Sequence, residues 1–308
     1  MRLSSLHAFV AAIDDGSLRK AAARLGLSQP ALSKMLRELE LELGAPLVMR
    51  SSRGVSPTAQ GKVLYERASA AARELSRAVE EIDQLGGHMV GELSVTAVSL
   101  AVMLLIPATL YRFSRQFPQI RLRVHEELYI AQMASLRKGE ADVAIGPIPH
   151  DLAQGEFQVE ALLPISMVVV ARKGNPLARA AHLAELSKAR WVYTGVSGDT
   201  GYVRELFIRN GLPPPPAAAI VNSTLALLAL IGSDDFIGLL PAQIAEHPLS
   251  APYIDIIALA EGPLELNLGV MVRRASSPSV MVRHFLSHLH RAAYHLARPG
   301  ERHRVKPA

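Results

Sequence analysis

The chain has 308 residues, no cysteine, and 33 Lys and Arg against 28 Asp and Glu, a formal net charge of +5. At roughly 100–200 residues per domain this length suggests about two domains, and 49% apolar with 20% charged residues is globular composition rather than disordered. The missing cysteines exclude disulfides, iron–sulfur clusters, thiolate zinc sites and cysteine nucleophiles, and fit a reducing compartment.

The N-terminal apolar stretch is interrupted by His7 and ends at Asp14-Asp15-Gly16 without a small-x-small cleavage site, so it makes a poor signal peptide. The longest apolar runs, Leu100 to Ile106 and Leu225 to Ile231, are seven residues each, and a membrane span needs about 20. The expectation is a soluble, cytoplasmic protein with no membrane partner. Charge is unevenly spread. Residues 1–58 are net +3, 59–90 net −1, 91–298 net +1, and the tail 299–308 net +2. A mild basic excess at the N-terminus hints at a polyanion partner.

Leu6, Phe9, Val10 and Ile13 repeat at helical spacing, and Asp15-Gly16 stops that helix. Ser17 can cap a second helix with Leu18, Ala21, Ala22 and Leu25 on one face, and Gly26 permits a turn. Ser28 caps a third helix, with Pro30 in its first turn. Leu32, Leu36, Leu39 and Leu43 form its buried stripe, and Gly44 ends it. Two short helices joined by a Gly-containing turn make a helix-turn-helix unit. The exposed side of the third helix offers Gln29, Pro30, Ser33, Lys34 and Arg37. Gln and Lys suit base edges, Pro a thymine methyl, and Ser and Arg phosphates. A solvated helix face is the plainer reading of charge alone. Leu47-Val48-Met49 and Val55 then read as short strands around Ser51-Ser52-Arg53-Gly54, a wing that sets Arg50 and Arg53 against DNA backbone or minor groove.

The run Gly16-Ser17-Leu18, Ala21-Ala22, Leu25, Ser28-Gln29-Pro30-Ala31-Leu32-Ser33, followed by Leu39-Glu40 and Glu42-Leu43-Gly44-Ala45-Pro46-Leu47, closely resembles the winged helix-turn-helix of LysR-type transcriptional regulators. The match covers most of residues 2–61. Lys34 stands where that family more often has Arg. The resemblance implies double-stranded DNA as a partner, with Ser28, Gln29, Pro30, Ser33, Lys34, Arg37, Arg50 and Arg53 as the contact set. It also implies a linker helix, a homodimer or homotetramer, and RNA polymerase as a further partner of such a regulator.

Thr58 caps a long helical segment. Leu64, Ala68, Ala71, Leu75, Ala78, Ile82 and Leu85 follow in alternating steps of four and three, and Gly86-Gly87 closes the helix. That is a heptad seam, read here as the dimer interface through Leu64, Leu75 and Ile82, although packing on its own domain would give a similar period. A dimer would place two recognition helices on successive major grooves and demand a dyad-symmetric operator.

From Gly91 the pattern changes to strands alternating with helices, which means an α/β sheet. Leu93, Val95 and Ala97 alternate with polar residues. A helix runs to about Phe117 before Pro118, and Ile120, Leu122 and Val124 alternate with Arg121, Arg123 and His125. A short helix ends at Gly139, and Ala141 to Ile145 reads as a buried strand. A second set comprises strands at 165–171, 191–194, 220–221 and 237–240 with helices at 202–210 and near 225–231, and Pro213 to Pro216 is a stiff connector. A strand at 266–272 and a helix from Ser279 to about Leu296 return to the first set. This half resembles, by pattern and length, the two-lobed periplasmic-binding-protein-like effector domain of the same family.

The expected organisation is α+β and multidomain. It comprises a winged helix-turn-helix (1–58), a linker and dimerisation helix (59–90), an effector-binding domain (91–298) and a basic tail (299–308). Within the effector domain, lobe one is 91–162 with 267–298, and lobe two is 163–266. A ligand belongs in the interlobe cleft beyond the carboxyl ends of strands. Candidates are Ser99 and Leu100 at one helix start, Ser197, Asp199 and Thr200 in the polar loop 195–201, and Asn222, Ser223 and Thr224 at another helix start. Simple helix capping explains each hydroxyl taken singly. The family default is a small anionic metabolite, with no cofactor.

Two other clusters are weaker. His284, His288 and His295 share a face of the last helix, but Arg291 beside them would repel a metal, so they read as a solvated flank. Glu126-Glu127 are adjacent on a strand and should point to opposite faces, which denies them a shared substrate. GxSxG, P-loop, GxGxxG after a strand and HExxH are all absent. A solute-binding module without a regulatory role, or a cytoplasmic enzyme, are the alternatives to a ligand-responsive regulator.

Overall fold

The computed structural model describes residues 1–51, 54–149, 152, 155–195, 201–274 and 278–297. Tertiary contacts divide the chain into two units, Met1–His88 and Met89–Ala308.

In the first unit, α1 (Leu3–Asp14), α2 (Leu18–Arg24) and α3 (Gln29–Leu43) precede a hairpin of β1 (Val48–Ser51) and β2 (Gly54–Pro57), and α4 (Ala59–Leu85) follows. The caps are those expected. Ser17 accepts from Lys20 N, Ser28 from Ala31 N and Thr58 from Gly61 N, satisfying amides that the first helical turn leaves unpaired. Phe9, Ala12, Ala21, Ala22, Leu32, Leu36 and Leu39 form a closed core. Leu25 and Leu43 do not join it; they are exposed. Each lies at the C-terminal end of its apolar stripe, past the last neighbour that could cover it. The hairpin is clamped by backbone. Val55 N donates to Gly16 O, and a Cβ on Gly54 would lie 2.3 Å from that same oxygen. A Cβ on Gly61 would lie 2.0 Å from Leu47 O, so α4 can start against the wing only because residue 61 has no side chain.

The second unit begins with β3 (Gly91–Ala97), α5 (Ser99–Leu104), α6 (Ile106–Gln116), β4 (Ile120–Glu126), α7 (Tyr129–Arg137) and β5 (Val143–Pro147). A long strand β6 (Phe157–Arg172) leads to β7 (Arg190–Thr194), α8 (Tyr202–Arg209), β8 (Ala217–Val221), α9 (Thr224–Ser233), β9 (Phe236–Pro241), α10 (Ala242–Ala245), β10 (Ile254–Ile257), β11 (Leu264–Arg273) and α11 (Val280–Ala297). The helix expected to run unbroken to Phe117 is split. Pro107 sits in the first turn of α6, where it has no N–H to continue the ladder from α5. The first half of β6 and all of β10 were not anticipated. Glu160 and Pro164 disrupt the apolar alternation of one, and Asp255 sits within the short other.

Two parallel sets, β4-β3-β5 and β9-β7-β8, are joined by the antiparallel pair β11 and β6, and β10 lies against β6. The β6–β11 ladder shifts register between Leu268 and Gly269. Because β3 has strands on both sides and helices on its faces, Thr96 is buried along with Leu93, Val95 and Ala97. Trp191 is fully buried, stacked edge-on against Phe207 with Nε1 donating to Leu186 O. Tyr193 Oη donates to Pro215 O and ties down the proline connector. Burial raises its pKa, so the phenol stays neutral. Of the α11 histidines read as a solvated flank, His295 is exposed, whereas His284 and His288 are half-buried. His284 packs on Phe117, and His288 meets the edge of Phe113 with Nε2 on Gln116 Oε1. Burial and the nearby Arg291, His284 and Arg112 charges lower the pKa of His288. No helix among the described residues is long and apolar enough to cross a membrane.

Candidate functional site

The helix-turn-helix presents the N-terminal half of α3 outward. Gln29, Pro30, Lys34 and Arg37 are exposed. At 100° per residue Ser33 lies only about 60° from Leu36, and it is buried at 9% exposure. Ser33 therefore supports the face rather than forming it, which corrects its placement among the exposed residues. Ser28 is also spoken for, since its Oγ caps the helix at Ala31 N. Lys34 Nζ is 3.8 Å from Glu38 Oε1 with both side chains largely exposed, a pair worth little against a phosphate or base edge. Arg50 on β1 is exposed, and Arg53 lies outside the described residues.

A residue that the sequence reading left without a role fixes this geometry. Glu40 Oε1 on α3 accepts from Leu47 N at 2.8 Å and Val48 N at 3.2 Å. One carboxylate thus joins the reading helix to the wing. Thr58 Oγ1 donates to Pro46 O and Thr58 N to Leu47 O, fixing the start of α4 to the same segment. Tyr65 of α4 donates to Asp14 of α1, which raises the tyrosine pKa.

Along α4 the expected seam divides in two. Ala68 is buried, and Leu64 is half-buried against the helix-turn-helix core. Leu75, Val79, Ile82 and Leu85 are exposed at 47%, 61%, 68% and 78%. Of the expected seam, Leu75, Ile82 and Leu85 are thus the large apolar residues left exposed, while Leu64 is half-covered by its own head.

In the second unit, a cavity of about 90 Å³ lies at the carboxyl ends of β3, β4, β7, β8 and β9, with Ile165 and Met167 of β6 in its wall. This is where ligands bind in open α/β sheets. Ser99, Leu100 and Asn222 line it as expected, and Thr224 joins them. Ser223 does not line it and instead caps α9 through Ala226 N. Ser197, Asp199 and Thr200 lie outside the described residues. Thr224 Oγ1 donates to Ser99 Oγ at 2.7 Å, a bond between residues 125 positions apart that links the two sides of the cavity.

Glu126 and Glu127 both line the cavity. The strand alternation that separates such a pair does not extend to them. β4 ends at Glu126, and Glu127 turns out of it with its N–H on Ala97 O. Ser99 Oγ donates to Glu126 Oε1 at 2.5 Å, while Thr96 and Ser135 donate to Glu127 Oε2. Tyr202, also in the wall, has its pKa pushed up by burial and then by Glu205 and Tyr129, so it stays a neutral phenol.

Comparison with known proteins places these two sites in one family. Residues 3–62 match the family model of the bacterial regulatory helix-turn-helix protein, lysR family, and residues 86–293 match the LysR substrate binding domain. The HTH-type transcriptional regulator GbpR of Azospirillum brasilense is 31% identical over 252 residues, covering 80% of this chain and 73% of its own. TdcA of Escherichia coli K12 is 28% identical over 254 residues, covering 82% of this chain and 80% of its own. The full-length regulator CbnR solved with its target DNA shares the fold, with a TM-score of 0.70 at 22% identity over 95% of this chain and all of its own. The chain belongs to the LysR family: it is a DNA-binding transcriptional regulator with an effector-binding domain.

Proposed function

We propose that this regulator acts in the cytoplasm as a homodimer or homotetramer on a dyad-symmetric operator, has no enzymatic role, and changes arrangement when a small molecule occupies the cavity of its second unit. The observation that carries the DNA half is the exposed face of α3, with Gln29, Pro30, Lys34 and Arg37 free of the core. Gln29 and Lys34 read base edges, Pro30 contacts a thymine methyl, and Arg37 and Arg50 hold backbone. Arg53 adds a wing contact. Pairing through Leu75, Val79, Ile82 and Leu85 would cover the exposed stripe of α4 and double the DNA contacts of a head whose own net charge is only +3. RNA polymerase is the further partner that promoter-bound regulators engage.

The domain limits are read as 1–58, 59–90 and 91–298. The exchange between lobe one (91–162, 267–298) and lobe two (163–266) falls on β6 and β11, supported by the register shift at Leu268/Gly269. An effector shifts the arrangement only by binding one form better than the other. The hydroxyls of Ser99 and Thr224 at helix starts are what favour an anionic metabolite; the carboxylates beside them argue against it.

The test is selection of genomic fragments by the full-length protein, followed by footprinting. Two protected half-sites about one helical turn apart, or a multiple of that, are expected. A single unsymmetric footprint would refute the dimeric reading mode.

A further inference from the structure

We propose that the cavity selects a compact ligand that carries no negative charge and offers hydrogen-bond donors, such as an ammonium compound or a polyol, and that Glu126 reads it. This rests on the cavity being the effector site and gives that site its ligand class.

The direction of proton donation carries the argument. A hydroxyl has one proton to give. Thr224 gives its proton to Ser99 at 2.7 Å, and Ser99 gives its own to Glu126 Oε1 at 2.5 Å. Thr96 and Ser135 give theirs to Glu127 Oε2 at 2.7 and 3.1 Å. The protons of Ser99, Thr96 and Ser135 are therefore spent on carboxylates, and that of Thr224 on Ser99. Glu126 Oε2 and Glu127 Oε1 are left without a donor among the described residues. The wall presents acceptors and negative charge, and its complement is a donor.

The charge balance agrees. The described lining residues include Glu126 and Glu127 but no Arg, Lys or His. Two guanidinium groups of the same lobe are paired with other carboxylates, Arg123 with Glu92 and Arg137 with Glu156. Ile165, Met167 and Leu240 supply an apolar wall, which weakens solvent screening of any charge held against it. A carboxylate ligand would have to approach Glu126 and Glu127, or else protonate or displace one of them. An ammonium or hydroxyl group needs none of these. Asn222, with an amide that both donates and accepts, serves either class. A volume of about 90 Å³ is well below the roughly 300–1,000 Å³ of sites for drug-sized ligands, so the occupant has few carbons.

The test is a thermal-shift panel on the full chain at constant ionic strength. It uses three- to six-carbon amines, polyols and carboxylates, including 1,4-diaminobutane, erythritol and succinate as a four-carbon set. Amines or polyols should raise the midpoint and carboxylates should not. Glu126→Gln keeps the shape and one acceptor oxygen. It should weaken an amine at least tenfold, weaken a polyol less, and admit carboxylates; Glu126→Ala should lose both donor classes. Leu240→Trp fills the cavity and should abolish every shift. Carboxylate binding to the unmodified protein that Leu240→Trp removes would overturn the ligand class while leaving the cavity as the effector site. Shifts that survive Leu240→Trp, or none across the panel, would overturn both.

Discussion

Replacing Glu40 with Ala isolates what holds the reading helix to the wing. The substitution deletes one carboxylate oxygen that accepts two backbone amides, Leu47 N at 2.8 Å and Val48 N at 3.2 Å. Hydrogen bonds to a charged group contribute about 1.5–3 kcal/mol each. The second bond is long and the site is half-buried, so the pair together is worth about 2–4 kcal/mol. For a unit of this size, 1 kcal/mol moves the midpoint by about 4–8 °C, which places the expected loss at about 8–32 °C for the head. Calorimetry of the full chain should show the head transition lowered and the second unit unmoved. Hydrogen exchange at the Leu47 and Val48 amides should accelerate by about thirtyfold or more, since 1.36 kcal/mol is tenfold. Operator affinity should fall although Glu40 touches no DNA. Glu40→Gln retains an acceptor and should lose about half as much. An Ala variant with unchanged exchange at those amides and an unchanged head transition would refute the clamp.

The remaining expectations concern assembly and pH. Glu at Leu75 and Ile82 together should convert the assembly to monomers in sedimentation velocity, because both side chains are exposed on α4; a persisting dimer would place the interface elsewhere. Glu at Leu64 should instead lower the head's melting transition, as that side chain is half-buried against its core. The pKa of His288 is lowered by burial and neighbouring cations, so below about pH 6.5 the unfolded chain binds more protons at this site than the folded one. Stability from this residue is complete above that pH and declines below it. His288→Gln should flatten that part of the pH profile, and an unaltered profile would contradict the assignment.

What the sequence made legible was local. Ser17, Ser28 and Thr58 cap their helices through the amide three residues on, a relation that needs no tertiary knowledge. The strand–helix alternation of the second unit, and Ser99 at the end of its first strand, came from period and turn chemistry in the same way. What was hidden depended on distant partners. Whether Leu64 faces a partner or its own core is decided by α1–α3, since the same period serves both. Ser33 sits at the edge between buried and exposed faces of α3, and only the packed neighbour settles its side. Glu126 and Glu127 were separated by strand alternation, which holds only while the strand continues. Glu40 stood in the family motif but gave no sign of its role, because a helix carboxylate accepting from a segment seven residues on looks like any surface Glu.

The central claim is that α3 reads DNA through Lys34 and its neighbours, and operator affinity across base-substituted sites tests it most directly. With the wild-type operator set by footprinting, Lys34→Ala should cost about 1–3 kcal/mol and relax preference at one base position per half-site. Arg37→Ala should weaken all sequences alike and reduce the salt dependence by about one phosphate contact per head. Both variants keeping wild-type affinity and the wild-type pattern of base preference would contradict the assignment of this face to DNA.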